Sequence, residues 1–365
     1  MISFFLTTKC NLECVYCYNS QERLNFYERS LSIDIAKAGI DYFFKTNDSR
    51  HIRFYGPGEP TQEFLLMQKI TDYARLKAGD KLSVEIQTNG VFDNEIREWM
   101  LNNINIIWIS FDGEPEIQNA NRPIRGGHPS SSIIENNIQW LLEKQKKNFM
   151  TGARVTISEI NVHRQIELVD YFYELGIRHI WSDPLFPSVH KKPVCSDPNR
   201  QKNSIFDMDT YVTNFVRAYH HARKKNIFYG SFLTCNFDGI TNKHCRACTP
   251  VPHLTPDGYV SACDLVTFGE HAFHMDCFVY GKWNEKTRSF IWDQEKIYSL
   301  QNRSINNLQH CKKCKARFYC GGYCLGEVVN ETGSLYGRKL NACKAIKRLL
   351  DELGNFESLY EFPHP

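Results

Sequence analysis

Three cysteines stand close together near the start of the chain, directly after a short apolar run. Cys10, Cys14 and Cys17 follow the spacing CxxxCxxC. In an iron–sulfur cluster each thiolate binds a different iron, so three cysteines on a four-iron cluster would leave one iron open to a small molecule. A structural zinc site needs a fourth donor, and no histidine lies near in the sequence. The spacing therefore predicts a metal cluster with one open position.

A second group of cysteines lies in the last third of the chain, which contains ten of the fourteen cysteines. The main spacings are Cys248-x9-Gly258-x4-Cys263 and Cys311-x2-Cys314-x5-Cys320-x3-Cys324, followed by Cys343. This number of thiolates predicts metal centres on which every ligand position is closed. Two tetrahedral zinc sites would also use these residues, so the spacing alone leaves zinc open. Cys195 stands alone in a loop and is predicted to be a free thiol.

The composition is that of an ordinary globular protein, with 42% apolar and 23% charged residues among 365. The net charge of +3 is too near neutral to indicate a nucleic-acid or membrane surface. No apolar stretch is long enough to span a bilayer, and the run from Ile2 to Leu6 is too short for a secretory signal. We therefore expect a cytoplasmic protein without nucleic-acid or membrane partners, whose cysteines stay reduced and serve as metal ligands or catalytic thiols.

Strand and helix patterns alternate over the first 185 residues. Short runs rich in Ile, Val and Phe predict the strands Ile2–Thr8, His51–Gly56, Leu82–Thr88, Ile106–Phe111, Ala153–Ser158 and His179–Pro184. Amphipathic patterns predict the helices Leu31–Lys45, Phe64–Lys77, Asn94–Asn102, Ser131–Lys147 and Arg164–Leu175, and later Asp209–Lys225 and Asn341–Leu353. Six βα units favour a parallel sheet with right-handed crossovers, either as an open partial barrel or as a doubly wound sheet.

Polar motifs follow several predicted strands at their carboxyl ends, which is where parallel βα proteins carry their chemistry. The three-cysteine segment follows the first strand, and Gly-Pro-Gly-Glu-Pro (56–60) follows the second. Gln87-Thr88-Asn89-Gly90 ends the third strand, and Ser110-Phe111-Asp112-Gly113 ends the fourth. Arg154 lies on the fifth. The carboxyl ends of parallel strands meet at one edge of the sheet, so these motifs predict a site there.

Together these motifs resemble the radical S-adenosylmethionine (SAM) superfamily, with GPGEP in place of the family's GGEP and with Tyr16 as the aromatic residue before the last cysteine. The resemblance implies a [4Fe–4S] cluster whose open iron chelates SAM. SAM is then cleaved to a 5′-deoxyadenosyl radical, which takes hydrogen from a substrate. The contacts to SAM that the resemblance implies come from Tyr16, Gly58, Glu59, Gln87, Asn89, Ser110, Asp112 and Arg154.

The C-terminal cysteines resemble the SPASM domain, which implies two auxiliary [4Fe–4S] clusters and so three clusters in total. The ligands of the outer cluster would be Cys311, Cys314, Cys320 and Cys343. Those of the inner cluster would be Cys248, Cys263, Cys324 and one further cysteine, for which Cys245 is favoured over Cys235 and Cys277.

The fold class that this resemblance implies is α/β, a partial (β/α)6 TIM-like barrel followed by a small cysteine-rich iron–sulfur SPASM domain. The predicted divisions are a barrel at residues 1–185, a connecting segment at 186–234, the SPASM domain at 235–350 and a tail at 351–365.

Asp264 directly follows Cys263, and in anaerobic sulfatase-maturing members of the family an aspartate at this position is the proposed general base. Most SPASM-bearing radical enzymes modify peptides. The resemblance therefore implies an enzyme that crosslinks side chains of a ribosomally made precursor peptide through a carbon–carbon, cyclophane-like or thioether bond. Its partners would be that peptide and an external electron donor of the flavodoxin or ferredoxin type. The alternatives are a sulfatase-maturing enzyme and, in a different class, a non-catalytic zinc-binding interaction protein.

Overall fold

A computed structural model describes residues 1–17, 19, 28–145, 149–186 and 207–354. Cys195, most of the connecting segment and the end of the tail lie outside these residues. The strands are β1 (Ile2–Phe5), β2 (His51–Tyr55), β3 (Ser83–Thr88), β4 (Ile106–Ser110), β5 (Met150–Ile157), β6 (His179–Pro184), β7 (Phe228–Gly230), β8 (His253–Leu254), β9 (Tyr259–Ser261), β10 (Val279–Asn284) and β11 (Ser289–Trp292). The helices are α1 (Ile33–Thr46), α2 (Phe64–Ala78), α3 (Asn94–Asn103), α4 (Pro115–Asn121), α5 (Ser131–Lys144), α6 (Gln165–Glu174), α7 (Met208–Lys224), α8 (Gln294–Asn302), α9 (Arg317–Cys320), α10 (Leu325–Thr332) and α11 (Leu340–Leu353).

The described strands form one sheet in the order β11-β10-β9-β8-β1-β2-β3-β4-β5-β6-β7. Each neighbouring pair from β1 to β7 is parallel. The spatial order follows the chain order without a reversal, which fits an open partial barrel and not a doubly wound sheet. The predicted parallel α/β fold is therefore confirmed. No helix in the described part of the chain is long and apolar enough to cross a membrane.

The six predicted strands are all present, with ends that differ from the prediction by up to three residues. The seventh parallel strand, β7, was not predicted. It has only three residues, and so short a run carries no readable alternation of apolar and polar side chains. It nevertheless pairs with β6 and extends the parallel part of the sheet.

The cysteine-rich region joins the same sheet as the barrel. β8 pairs in parallel with β1, where Ser3 lies opposite His253 and Phe4 lies opposite Leu254. β9, β10 and β11 then continue the sheet in antiparallel fashion. One apolar core runs through both parts and includes Phe4, Leu254 and Val328. Because β8 pairs with β1, the cysteines of the C-terminal region lie near the edge of the sheet at which the first strands end.

Local sequence signals explain how the helices are placed between the strands. The hydroxyl of Ser32 caps α1 by accepting a hydrogen bond from the backbone of Asp34 at 3.3 Å. After α6, Gly176 adopts a positive φ of 95°, and the N–H of Ile177 bonds to the carbonyl of Phe172 at 2.9 Å. This C-terminal turn confirms the predicted helix stop and directs the chain into β6.

The end of β2 is fastened directly to the three-cysteine loop. The backbone N–H of Gly58 donates to the carbonyl of Thr7 at 2.9 Å, and that of Glu59 donates to the carbonyl of Lys9 at 2.7 Å. A Cβ atom at position 58 would lie 2.2 Å from the carbonyl oxygen of Lys9 and 2.6 Å from that of Thr7. Only glycine allows the two backbones to approach this closely.

Gly58→Ala should therefore destabilise the protein and displace the loop that carries the three cysteines. We expect a loss of about 1–3 kcal/mol in the free energy of unfolding, because the added methyl group must push two backbone segments apart. Gly239→Ala is the matched control, since a Cβ there meets nothing within 4 Å. Denaturant unfolding of both variants measures the effect, and equal stability of the two would contradict the close-contact argument.

Candidate functional site

A cavity of about 320 Å³ lies beyond the carboxyl ends of the parallel strands. Most residues predicted to bind SAM line it, namely Tyr16, Gly58, Glu59, Gln87, Asn89, Ser110 and Arg154. The thiol-bearing residues on its wall are Cys10, Cys14, Cys17, Cys245, Cys263 and Cys324. Asp264 also faces it. Residues from both ends of the chain thus share one cavity.

Cys14 lies in surroundings that disfavour a free thiolate. Burial raises the pKa of Cys14 to about 12, and negative charge on Cys17 and Cys10 adds to the increase, while Arg122 opposes it. A buried thiol beside two others becomes favourable as a ligand, because metal binding neutralises its charge and releases its proton. The donor set therefore fits a thiolate-bound metal cluster.

Glu59 ties the ends of two strands to this loop. Its buried carboxylate accepts hydrogen bonds from the hydroxyl of Thr88 at 2.7 Å and from the backbone N–H of Asn89 at 2.7 Å. The side chain of Asn89 donates to Asn11 at 2.7 Å, next to Cys10. Burial raises the pKa of Glu59, although these hydrogen bonds oppose the increase. The network fixes β2, β3 and the cysteine loop relative to one another.

Asp112 lies behind the cavity wall and not in the cavity, so the structure does not bring this predicted contact to the site. Its side chain is fully buried. It accepts hydrogen bonds from the hydroxyl of Tyr16, from Nε of Arg122 at 3.1 Å and from the backbone of Thr156 at 2.9 Å. Every bond of this carboxylate goes to the protein, and three of its partners, Tyr16, Arg122 and Thr156, do line the cavity. Asp112 therefore positions them.

Arg154 lines the cavity and is oriented by Asp183. The guanidinium of Arg154 lies 3.2 Å from a carboxylate oxygen of Asp183, which also accepts from the indole N–H of Trp181 at 2.8 Å. The other oxygen accepts from the backbone of Phe232 at 2.6 Å. The ends of β5, β6 and β7 are joined in this way.

An unpredicted polar cluster surrounds Asp264. The buried Arg53 on β2 donates to Asp264 and also to the hydroxyl of Ser3 at 3.0 Å. His253 on β8 stacks on Phe5, and its Nε2 lies 3.5 Å from Asp264. Neither ring nitrogen of His253 has a hydrogen-bond partner among the described residues. Burial favours a raised pKa for Asp264, but Arg53 and His253 outweigh it and hold the pKa well below its usual range.

Little in the sequence pattern pointed to this cluster. Arg53 stands in the middle of an apolar strand pattern, and His253 lies on a two-residue strand that pairs with β1 across about two thirds of the chain. A charged residue in the middle of a buried strand is the one signal that was available, because such residues are rarely buried without a partner.

The C-terminal cysteines lie in two groups, and their assignment to two ligand sets stays a prediction. Cys263 and Cys324 lie within electrostatic range of Cys245, whose carbonyl accepts from the backbone of Cys248 at 3.1 Å. The second group surrounds a separate cavity of about 180 Å³ and consists of Cys311, Cys314, Cys320 and Cys343.

The position of Cys245 favours this residue as the fourth ligand of the inner group. Cys245 lines the large cavity together with Cys263 and Cys324, whereas Cys235 and Cys277 do not. The sulfur of Cys235 instead lies 3.8 Å from Nε2 of His244. The geometry thus supports the preference for Cys245.

Among the described residues, no three His, Cys, Asp or Glu side chains converge on a position for one metal ion. No disulfide joins the described cysteines.

Comparison with known proteins agrees with this geometry. The sequence model of the Radical SAM superfamily matches residues 4–179. The radical SAM cyclopropyl synthase TigE of Paramaledivibacter caminithermalis is 24% identical, over 96% of this chain and 73% of that protein. A cysteine-type anaerobic sulfatase-maturating enzyme of Clostridium perfringens is 24% identical, over 86% and 85%. The Fe-coproporphyrin III synthase of Methanosarcina barkeri is 30% identical, over 97% and 89%.

Solved structures show the same fold. A structure of anSMEcpe with bound AdoMet superposes with a TM-score of 0.74 at 18% identity and covers 96% of this chain and 92% of that one. Streptococcus suis SuiB bound to its precursor peptide SuiA gives a TM-score of 0.62 at 15% identity, over 93% and 75%.

His253→Gln should reduce the loss of stability in mild acid. Burial lowers the pKa of His253 from 6.5 to about 3. Below pH ~6.5 the unfolded chain binds a proton that the folded chain does not, so stability is full above that pH and falls as the pH drops toward the folded pKa. Between pH ~7.5 and ~5.5 the variant should lose about 1.4 kcal/mol less unfolding free energy than the wild type.

Denaturant unfolding at the two pH values measures this difference. His220→Gln is the control, because His220 is exposed on α7. Equal acid losses in the wild type and in His253→Gln would show that His253 is not held neutral in the folded protein.

Proposed function

The chain belongs to the Radical SAM superfamily and has a cysteine-rich C-terminal region, and from this premise we propose that it crosslinks side chains of a ribosomally made precursor peptide. The new bond would be carbon–carbon, cyclophane-like or thioether. A [4Fe–4S] cluster and SAM are the cofactors that the family and the cysteines imply. The proposal includes two further clusters, bound by the inner and outer cysteine groups.

The described residues fit these cofactors. Cys10, Cys14 and Cys17 supply three closely spaced thiols for a cluster with one open iron, and glycine at position 58 leaves room where a Cβ would collide with the loop. When bound there, SAM and the cluster supply a radical that removes hydrogen from an unactivated carbon. The residues proposed to hold SAM are Tyr16, Gly58, Glu59, Gln87, Asn89, Ser110 and Arg154. The hydrogen-bond networks of Glu59 and Asp183 keep these side chains oriented before SAM binds.

One observation carries the proposal: the open-cluster cysteines and three cysteines of the inner group, Cys245, Cys263 and Cys324, line the same cavity. A substrate in this cavity would lie between the radical source and a second metal centre. Crosslinking removes two hydrogens, so it needs a radical to take hydrogen and an acceptor for a further electron. The shared cavity brings both functions to one substrate.

The charges of the cavity favour a peptide segment over a polycarboxylate. Four arginines line it, and three of them are ion-paired, namely Arg53 with Asp264, Arg122 with Asp112 and Arg154 with Asp183. The similarity to the Fe-coproporphyrin III synthase raises a porphyrin as the alternative substrate. A porphyrin with several carboxylates would need cations that are not already neutralised. The aromatic residues Tyr55, Trp181 and Phe186 on the wall suit uncharged side chains.

Asp264 favours the sulfatase-maturing alternative and also has a place in the peptide reaction. Its carboxylate faces the cavity directly after Cys263. We propose that it accepts a proton from the substrate. Arg53 keeps it ionised and therefore able to accept a proton, but the same ion pair makes it a weak base. It would then accept a proton from a substrate group that becomes more acidic after the radical has removed a hydrogen atom.

The peptide proposal is tested by anaerobic reaction of the reconstituted protein with a precursor peptide encoded beside its gene. We expect the peptide to lose the mass of two hydrogens and 5′-deoxyadenosine to form. Cys14→Ala should abolish both, because a cluster with two thiolate ligands would not be retained. Wild type should contain about twelve irons and the variant about eight, four for each cluster. Cys195→Ala, at the predicted free thiol, is the control and should behave as the wild type.

Several outcomes would overturn this proposal. Zinc without acid-labile sulfide would favour the binding-protein alternative. Formation of 5′-deoxyadenosine with no change in any peptide, together with conversion of an iron tetrapyrrole precursor to Fe-coproporphyrin III, would favour the porphyrin alternative. Cleavage of SAM by Cys14→Ala would show that the first loop has been misinterpreted.

Asp264→Asn should separate cofactor cleavage from product formation. The amide retains a hydrogen bond to Arg53 but cannot accept a proton, so 5′-deoxyadenosine should still form while modified product falls by about 10²-fold or more. Asp276→Asn, at an exposed ion pair with Lys296, is the matched control. Unchanged product yield in Asp264→Asn would remove this residue from the reaction.

A further inference from the structure

The surface around the outer cysteine group is strongly basic. Residues 310–350 contain nine lysines and arginines and two glutamates, which gives a local charge of +7. The whole chain carries +3, so the remainder carries −4. The near-neutral total therefore conceals a strong separation of charge, and the earlier inference from net charge does not apply to this region. The nine are Lys312, Lys313, Lys315, Arg317, Arg338, Lys339, Lys344, Lys347 and Arg348.

Only some of these cations are neutralised by ion pairs. Lys315 pairs with Asp351, Lys339 with Glu327 and Glu331, and Arg348 with Glu352. Among the described residues, no ion pair involves the remaining six, and four of these are exposed: Lys312, Lys313, Arg338 and Lys344. We call these four residues the basic collar. An exposed cluster of unpaired like charges destabilises a protein by mutual repulsion, which favours a role in binding.

The collar lies beside the outer cysteine group. Lys313 and Arg338 line the small cavity together with all four of its cysteines. Cys314 and Cys343 are half-buried and Cys311 and Cys320 are buried, so two members of this group lie close to the surface. In the inner group Cys248, Cys263 and Cys324 are buried and Cys245 is half-buried, and the nearby Arg53 is neutralised by Asp264. Cations that served only to balance bound thiolates would point inward, whereas the collar residues are exposed to solvent.

We propose that the basic collar docks an acidic one-electron carrier protein, of the flavodoxin or ferredoxin class, against the outer cysteine group. The proposal rests on the proposed function in that it takes these four cysteines as ligands of a redox centre. A positive surface beside a shallow redox site attracts a negative partner and orients its cofactor toward the site. Contact exchanges one electron at a time, so the carrier loses one electron for each electron that the protein gains. The collar residues form no bond and transfer no proton.

The test uses the reconstituted full-length protein and a purified acidic bacterial flavodoxin. The collar variant carries Lys312→Glu, Lys313→Glu and Arg338→Glu. The control variant carries Lys45→Glu, Lys69→Glu and Lys286→Glu, three exposed lysines outside the collar, with the same change in net charge. Stopped-flow absorbance measures the rate at which reduced flavodoxin reduces each protein. At low salt the collar variant should react about 10–10³-fold more slowly than wild type, and the control should not.

Salt and a small reductant provide two further readouts. High salt should slow the wild type and bring its rate close to that of the collar variant, because screening removes the attraction. Methyl viologen, which needs no docking surface, should reduce both variants at the wild-type rate. Flavodoxin binding, measured by calorimetry, should weaken in the collar variant alone.

Four results would overturn the proposal: equal slowing in both variants, a wild-type rate independent of salt, slower reduction of the collar variant by methyl viologen, or lost peptide binding with an unchanged flavodoxin rate. The last would assign the collar to the peptide. If the collar variant fails to fold, the salt dependence of the rate at which flavodoxin reduces the wild-type protein still tests the proposal. Failure to modify any peptide, with flavodoxin binding intact, would overturn the proposed function and leave the collar assignment standing.

Discussion

The site depends on a close backbone contact between the end of β2 and the three-cysteine loop. Gly58 and Glu59 donate to the carbonyls of Thr7 and Lys9, so the loop is held by main-chain atoms that no side-chain rotation can release. The carboxylate of Glu59 accepts hydrogen bonds from Thr88 and Asn89, and the side chain of Asn89 in turn donates a hydrogen bond to Asn11 in the loop. Three strand ends and the loop therefore form one rigid unit, which a site that must hold a reactive cofactor requires.

Paired charges form the rest of the cavity wall. Asp112, Asp183 and Asp264 each form an ion pair with an arginine, and the pair of Arg53 and Asp264 joins segments 211 residues apart in the sequence. The pair of Arg53 and Asp264 connects β2 to the turn that bears Cys263, so the inner cysteine group is positioned from the barrel itself. Since a buried ion pair that loses one partner leaves an uncompensated charge, these pairs fix the geometry of the wall as well as its net charge.

The sequence predicted the parts of the site that come from local patterns. The strands β1 to β6 were visible because each contains a short run rich in apolar residues, and the motifs at their ends could be placed once a parallel sheet was inferred. Long-range pairing was not visible. Nothing local shows that His253 lies beside Ser3, since β8 has two residues and is held by its partner strand. Asp112 was assigned to the cavity by its motif, but which way a side chain points after a strand end depends on hydrogen bonds, here to Tyr16 and Arg122, that only tertiary structure supplies.

The two C-terminal cysteine groups differ chiefly in the charge around them, and this difference is consistent with separate roles. The inner group faces a cavity in which most arginines are neutralised by ion pairs. An uncharged substrate can therefore bind there without the desolvation cost of unpaired charges. The outer group has two members close to the surface and lies beside unpaired lysines and arginines, a setting that attracts a charged macromolecule. A protein whose cysteines served only for structural stability would have no need of this contrast, because a structural site is stabilised by burial and gains nothing from repulsion between exposed cations. The uneven distribution of charge is therefore better explained by exchange with a partner in solution.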